Sequence, residues 1–291
     1  AWLAHAAFQI MVESGALPNG AVQLLLGSAG AMIDRLESQD VVAFTGSAET
    51  ARKLRTHPVI LREGVRFTGE QDSINASILA PDAKVESPEF DLFIKEVVRE
   101  MTQKAGQKCT AIRRILVPET SADAVQAAII ARLGKMAVGN PRSESVSVGA
   151  LAGLPQREDV RTKLAELQRE AETVFGGGDS NLIDADAKVG AFFAPTLLRC
   201  NNAANAHIVH STEAFGPVAT LMPYKDTAQA AALARAGNGS LALSIFGYDT
   251  ETVTELALET ASSHGRIMVV NRYNAEFSTG HGAAMPHLIH G

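Results

Sequence analysis

The sequence has few cysteines and no long apolar run. Its 291 residues include two cysteines, Cys109 and Cys200, and one tryptophan. Two cysteines exclude a disulfide framework and favour a reducing compartment, so a cytoplasmic location is expected. No apolar run reaches the roughly 18 residues that a membrane span needs, and the apolar start of the chain lacks the features of a signal peptide, so we expect no membrane association.

An excess of basic residues is also absent. Lysine and arginine number 26 against 32 acidic residues, which gives a formal net charge of −6. This balance argues against an electrostatic nucleic-acid binder. Hydrophobic residues at 46% and charged residues at 20% are ordinary for a globular protein, and the length favours two domains over one.

Predicted strands and helices alternate along the chain with short connections. This alternation predicts an α/β fold with a parallel sheet. The predicted helices are residues 1–14, 30–37, 48–54, 88–105, 122–136, 156–171 and 250–262, and the predicted strands are residues 21–26, 41–44, 112–117, 173–175, 242–246 and 266–270.

A turn between a predicted strand and a helix could bind an anion. Its residues are Phe44, Thr45, Gly46 and Ser47. Backbone N–H groups and the helix dipole favour a phosphate at such a position. An ordinary capped turn explains the same residues, and the common dinucleotide fingerprint G-x-G-x-x-G is absent here.

Cys109 lies in a polar loop between a helix and a strand. Lys108 and Lys104 lie nearby, and a cationic environment lowers the pKa of a thiol and favours a nucleophile. A buried structural thiol is the alternative for Cys109, and it suits Cys200 better.

Two acidic residues are candidates for other roles. Glu70 follows Gly69 and could be a general base or a solvated turn residue. Glu213 precedes Phe215 in a loop that ends in Gly-Pro, where an acid could hold ribose hydroxyls and an aromatic ring could flank a flat ligand.

Histidines crowd the end of the chain at His281, His287 and His290. Their spacing matches no recognised zinc pattern, so no metal site is expected. Nor does any of them belong to a recognisable catalytic motif.

The motifs resemble, in their order, those of the aldehyde dehydrogenase superfamily. Glu70 precedes Cys109 by 39 positions, a plausible interval between base and nucleophile in that family. The motifs are Phe44-Thr45-Gly46-Ser47, Glu70, Gly106-Gln107-Lys108-Cys109 and Glu213-Ala214-Phe215-Gly216-Pro217. The resemblance implies a partial Rossmann-like cofactor domain over residues 1–69 and an α/β catalytic domain over residues 70–291.

The resemblance also implies roles for these residues. Cys109 would be the nucleophile, with its N–H as an oxyanion donor, and Glu70 would be the general base. The turn 44–47 would meet the cofactor pyrophosphate, Glu213 the nicotinamide ribose, and Phe215 the nicotinamide ring.

Two departures from the family pattern indicate which branch of the family the chain resembles. Gln-Asp-Ser-Ile-Asn at 71–75 stands where most members have Leu-Gly-Gly-Lys after the glutamate, and Ser-Thr-Gly-His-Gly at 278–282 replaces the usual glycine-rich tail. The chain is thereby similar to dehydrogenases of coenzyme-A-linked semialdehydes from aromatic-ring breakdown, sometimes fused to a hydratase domain. This implies a CoA-linked aldehyde substrate, NADP more than NAD as cofactor, and a homodimer or larger homo-oligomer.

Compared with that family, the chain is expected to be a piece of a larger enzyme. An upstream asparagine of the oxyanion hole, a lysine that contacts the adenosine ribose, and a final oligomerisation strand would lie outside it. Two alternatives therefore stay open. The chain could be a non-catalytic piece, or Cys109 could pair with a histidine in a hydrolase that uses no redox cofactor.

Overall fold

A computed structural model describes residues 2–27, 29–178, 181–277 and 280–281. The chain forms two compact units, one ending at Gln71 and the other beginning at Asp72. This division lies two residues beyond the domain boundary expected from the sequence. The assignment of cofactor and catalytic roles to the two units stays a prediction.

The first unit contains a small parallel βαβ arrangement. Its elements are α1 (Trp2–Glu13), β1 (Val41–Thr45), α2 (Ala48–Arg55), α3 (Pro58–Glu63) and β2 (Arg66–Glu70), with a 3₁₀ turn at Gly30–Arg35. Strands β1 and β2 pair in register from Val41 opposite Arg66 to Thr45 opposite Glu70. The predicted helix 1–14 and strand 41–44 are confirmed.

The strand predicted over residues 21–26 is wrong. These residues form bends and coil, and Leu25 is 66% exposed. A short apolar run becomes a strand only where a neighbouring strand pairs with its backbone. Within the described part of this unit the sheet contains β1 and β2 alone.

The second unit is built on a seven-stranded sheet. The strands of this unit are β3 (Ala76–Leu79), β4 (Arg114–Pro118), β5 (Val138–Gly139), β6 (Glu172–Phe175), β7 (Leu182–Ile183), β8 (Thr196–Arg199), β9 (Val218–Tyr224), β10 (Ser240–Phe246) and β11 (His264–Val270). The order in the sheet is β11-β10-β3-β4-β9-β8-β6, and β5 and β7 form a separate small pair. All neighbours in the sheet are parallel except β6, which runs antiparallel to β8. The helices are α4 (Pro88–Thr102), α5 (Ala122–Leu133), α6 (Leu154–Leu167), α7 (Ile208–Ser211), α8 (Thr227–Arg235) and α9 (Thr250–Thr260).

Two hydrophobic clusters lie on the two faces of this sheet. One joins α4 and α5 to the sheet, with Phe93 edge-on to Phe246 at 5.4 Å between ring centroids. The other contains residues of α6, α8 and α9, among them Val160, Leu233 and Leu256. Neighbouring residues of one strand face opposite clusters, as period-two alternation requires. The unit is therefore a three-layer α/β/α fold, which agrees with the predicted class.

Helix α4 begins as its sequence predicts. The hydroxyl of Ser87 accepts a hydrogen bond from the N–H of Phe90, and Pro88 occupies the first helical position. The helix ends at Thr102, and a 3₁₀ turn at Gln103–Gly106 then leads into the Cys109 loop.

No helix in the described ranges is both long enough and apolar enough to cross a membrane.

Candidate active site

The candidate site of the second unit lies at the amino ends of four neighbouring strands. Asn75 directly precedes β3, Cys109 precedes β4, Glu213 precedes β9, and Ala242 lies near the start of β10. Because β3, β4, β9 and β10 are neighbours in one parallel sheet, their amino ends share one edge. Ligands of open α/β sheets usually bind at the opposite, carboxyl edge, so the sheet order alone does not indicate this site.

The loop before Cys109 has a constrained backbone. Lys104, Ala105 and Gly106 all have positive φ, at 53°, 53° and 70°. A side chain at Gly106 would place its Cβ 2.2 Å from the carbonyl oxygen of Gly216. The loop thus lies directly against the Gly216 segment. Cys109 follows these three residues and is exposed to solvent.

Arg113 joins the cysteine loop to the Glu213 loop. Its Nε donates to Glu213 Oε1 at 3.1 Å, its Nη1 to the carbonyl of Gly216 at 2.7 Å, and its Nη2 to the carbonyl of Gly106 at 2.9 Å. Its guanidinium also lies 5.5 Å from the ring centroid of Phe215. The role of Arg113 was not predicted, because no local sequence signal distinguishes it from its neighbours.

Glu213 is buried and has protein partners on both carboxylate oxygens. Oε1 accepts from Arg113, and Oε2 accepts from the N–H of Ser73 at 3.0 Å. Burial raises the pKa of the Glu213 carboxyl, and Arg113 and the Ser73 N–H oppose that rise. The predicted contact of Glu213 with ribose hydroxyls would have to use the carboxylate lone pairs that Arg113 and Ser73 leave available. That contact stays a prediction.

Asn75 is fully buried behind the cysteine. Its Nδ2 donates to the carbonyls of Cys109 at 2.8 Å and Ala111 at 3.0 Å. Its Oδ1 accepts from the hydroxyl of Ser73 at 2.7 Å and from the N–H of Ala242 at 2.9 Å. In the sequence, Asn75 belongs to a segment that departs from the family pattern, and no local signal indicates a role for it.

Lys108 is paired with an acid. Its Nζ lies 2.7 Å from Oε1 of Glu100, whose side chain is wholly buried, and also donates to Gln103. The expectation that Lys108 lowers the pKa of the Cys109 thiol is therefore weakened, because its charge is compensated. Arg266 is a second cation here: burial lowers the pKa of its guanidinium, and the neighbouring Glu100 and Cys109 oppose that change.

His281 is fully buried beside the same loop. Its Nδ1 lies 2.5 Å from the carbonyl of Thr110 and its Nε2 lies 3.3 Å from the carbonyl of Ala76. Its backbone N–H donates to Glu96 at 2.8 Å, and its carbonyl accepts from Arg266.

Burial lowers the pKa of the His281 imidazole to about 4, so the ring is neutral near pH 7. Both ring nitrogens face backbone carbonyls, an arrangement that does not support a dyad of Cys109 with His281. The tail residues Ser278, Thr279, Gly282, His287 and His290 lie outside the described residues.

The first unit places Glu70 and the turn 44–47 at one edge. Thr45 pairs with Glu70, and the N–H of Gly46 donates to the carbonyl of Glu70 at 3.1 Å. Ser47 caps α2 by accepting from the N–H of Thr50 at 3.2 Å. A Cβ at Gly46 would lie 2.6 Å from the ring of Phe44, so the glycine also accommodates that ring. This edge is the carboxyl end of the strands, where helix N-termini favour anions.

Cys200 is 1% exposed, and burial raises the pKa of its thiol. The prediction that it is the buried cysteine is confirmed. Among the residues that the structure describes, no group of three or more histidine, cysteine or acidic side chains could hold a metal ion.

Comparisons with known proteins agree with this fold. Residues 1–282 match the model of the aldehyde dehydrogenase family, and the chain belongs to that family. It is 49% identical to 3,4-dehydroadipyl-CoA semialdehyde dehydrogenase of Aromatoleum evansii over 100% of this chain and 57% of the relative. It is 28% identical to the mitochondrial succinate-semialdehyde dehydrogenase of Oryza sativa subsp. japonica over 84% of this chain and 44% of that one.

A solved structure shows the same fold. Betaine aldehyde dehydrogenase from Staphylococcus aureus, crystallised with NAD⁺, superposes with a TM-score of 0.78 at 26% identity, covering 90% of this chain and 50% of that one. The resemblance and the fold inferred from the motifs are confirmed. The chain spans about half the length of the relatives that it matches, 57% of the Aromatoleum enzyme.

Proposed function

We propose that this chain carries the nucleophile, the general base and part of the cofactor site of an NAD(P)-dependent aldehyde dehydrogenase. Family membership and the relative that acts on a CoA semialdehyde support this activity. The observation that carries the proposal is an exposed Cys109 in a loop whose backbone is held by Arg113 and Asn75.

Cys109 and Glu70 carry the proposed chemistry. Cys109, as a thiolate, attacks the aldehyde carbon to form a thiohemiacetal, and its own N–H donates to the developing oxyanion. Oxidation of this adduct leaves a thioester on Cys109. Glu70 then removes a proton from water, which attacks the thioester and releases the carboxylic acid and the thiolate.

A nicotinamide cofactor supplies a hydride acceptor when it is bound. The edge that joins Thr45, Gly46 and Ser47 to the N-terminus of α2 suits the anionic pyrophosphate, since the positive end of a helix dipole lies there. Phe44 packs against Gly46 behind this turn. NADP is the proposed cofactor, with NAD as the alternative that the Staphylococcus aureus complex favours.

The proposed substrate is a CoA-linked semialdehyde, from the likeness to the Aromatoleum enzyme. The proposed assembly is a homodimer or larger homo-oligomer, and the proposed location is the cytoplasm.

The test is the formation of reduced cofactor, followed by its near-ultraviolet absorbance, with a CoA-linked semialdehyde and with the corresponding free aldehyde. We expect Cys109→Ala to lower the rate by at least about 10³-fold, and Cys200→Ala to leave it within about threefold. Retention of the rate by Cys109→Ala would contradict the assignment. Comparing NAD with NADP in the same assay tests the cofactor.

A further inference from the structure

Three successive backbone carbonyls at the cysteine are held by two buried side chains. Asn75 donates to the carbonyls of Cys109 and Ala111, and the carbonyl between them, that of Thr110, contacts the Nδ1 of His281. Both Asn75 and His281 have 0% exposure, and neither has a role in the proposed chemistry.

The orientation of the Asn75 amide follows from its partners. The N–H of Ala242 can only donate, so the atom facing it at 2.9 Å must be the acceptor Oδ1. The other side of the amide is then the NH₂ group, which faces two carbonyl oxygens. Asn75 thus makes two donor and two acceptor contacts, the full set of partners expected of a well-satisfied buried amide.

The protonation state of His281 follows in a similar way. A neutral imidazole carries one N–H, and the carbonyl of Thr110 lies much closer to its ring than that of Ala76, at 2.5 Å against 3.3 Å. The proton therefore belongs on Nδ1, which donates to Thr110. The backbone contacts of His281 with Glu96 and Arg266 hold the ring in place.

The peptide after Cys109 is planar, so holding it in place fixes, through the ψ angle of Cys109, where the Cβ and the backbone nitrogen of Cys109 lie relative to that peptide. We propose that Asn75 and His281 are positioning residues that fix residues 109–111 and so set the reactivity of Cys109. The inference rests on the proposed function of Cys109 as nucleophile. Asn75 stabilises the peptides after Cys109 and after Ala111, and His281 stabilises the peptide after Thr110, which lies between them.

The experiment measures two properties in one set of variants. The first is the rate at which iodoacetamide alkylates Cys109 as a function of pH, in a Cys200→Ala background where a single thiol reacts. The second is the kcat of aldehyde oxidation together with the KM for the cofactor. Alkylation needs neither substrate nor cofactor, so it reports on the loop even if the proposed function is wrong.

The variants separate positioning from folding. Asn75→Asp keeps the shape but replaces the NH₂ group by an oxygen facing two carbonyls, and Asn75→Ser keeps a single donor. His281→Ala removes the donor to Thr110, whereas His281→Asn supplies a donor near the Nδ1 position. Asn205→Asp is the control for the added charge at an exposed asparagine whose partner is the side chain of Asn202.

We expect Asn75→Asp and His281→Ala to change the alkylation rate at least about fivefold, to shift its pH midpoint, and to lower kcat by about 10²-fold with a small change in cofactor KM. His281→Asn should recover most of the alkylation rate, and Asn205→Asp should match the parent. Alkylation profiles and kcat equal to the parent in folded Asn75→Ser and His281→Ala would overturn the proposal. If Cys109→Ala instead kept full dehydrogenase activity while these profiles shifted, the proposed function would fail and the positioning of the loop would stand.

Discussion

Arg113 and Glu213 form an ion pair that is almost completely shielded from solvent. The Nε–Oε1 distance is 3.1 Å, and the two side chains are 4% and 5% exposed. They lie 100 positions apart in the chain. The pair joins the Cys109 loop to the Glu213 loop, so a change in either loop reaches the other through it.

Removing one partner of this pair should be much more costly than removing both. Arg113→Met leaves a buried carboxylate without its cation, and we expect a loss of about 3 kcal/mol in the free energy of unfolding. In a Glu213→Gln background the same substitution should cost clearly less, because no charge is left uncompensated. Urea unfolding of the four proteins of this cycle measures the coupling.

The pair of Arg161 and Glu158 is the matched control for this cycle. It is 2.9 Å apart but roughly half exposed on both sides. Exposed pairs contribute about 0–1 kcal/mol, so Arg161→Met should have a small effect. Equal losses for Arg113→Met and Arg161→Met would contradict the importance given to burial.

Gly106 should not accept a side chain. Its φ is 70°, and a Cβ would lie 2.2 Å from the carbonyl oxygen of Gly216. We expect Gly106→Ala to destabilise the protein by at least about 2 kcal/mol and to alter the alkylation rate of Cys109, since the loop must move. Gly178→Ala is the control, because among the described residues no atom apart from its chain neighbours lies within 4 Å of its Cβ position. Thermal unfolding and thiol alkylation of both variants test this prediction. Equal effects of Gly106→Ala and Gly178→Ala would contradict it.

Acid should destabilise the protein through His281. Its pKa is about 4 in the folded chain against 6.5 for an ordinary histidine, so the unfolded state binds more protons between these values. Stability is therefore fully present above pH 6.5 and falls as the pH drops toward 4, by up to about 3 kcal/mol from this residue. Glu96 and Arg266 are the charged groups that contact it, through its backbone.

The difference between the parent and His281→Asn isolates this effect from other titrations. Urea unfolding at several pH values between 4 and 7 should show a shallower slope for His281→Asn than for the parent. Replacement of the exposed His5 by Asn is the control for the loss of a histidine from the chain. Parallel curves for parent and His281→Asn would show that the folded-state pKa of His281 is not depressed.

Local signals allowed prediction of some elements and not of others. Helix α4 was predictable because Ser87 and Pro88 start it and the apolar spacing continues it, all within one segment. Strands β3 and β9 lack such a signal, since short, almost wholly buried runs carry no alternation. The run at residues 21–26 was apolar enough for a strand but has no pairing partner among the described residues of its unit.

The residues of the candidate site also divide into those that local sequence signals predict and those that they do not. Cys109 and Glu213 could be found because each belongs to a recognisable local motif. Arg113 and Asn75 could not, because their importance comes from contacts that join distant parts of the chain, such as Asn75 with Ala242, 167 positions away. Their roles depend on the order of strands in the sheet, which no local pattern specifies.

Ser47 offers a test that separates its capping role from a contact with the cofactor. Ser47→Ala removes the bond to the N–H of Thr50 and should cost about 1 kcal/mol. Ser47→Asp keeps a cap, so stability should be retained, but its carboxylate would repel a pyrophosphate at the same helix N-terminus. We expect the KM for the cofactor to rise at least about tenfold in Ser47→Asp with little change in kcat. Ser87→Ala is the control, since it removes the comparable cap of α4 and should lower stability without changing the cofactor KM. If Ser47→Asp binds cofactor as the parent does, Ser47 is a helix cap alone and the anion site lies elsewhere.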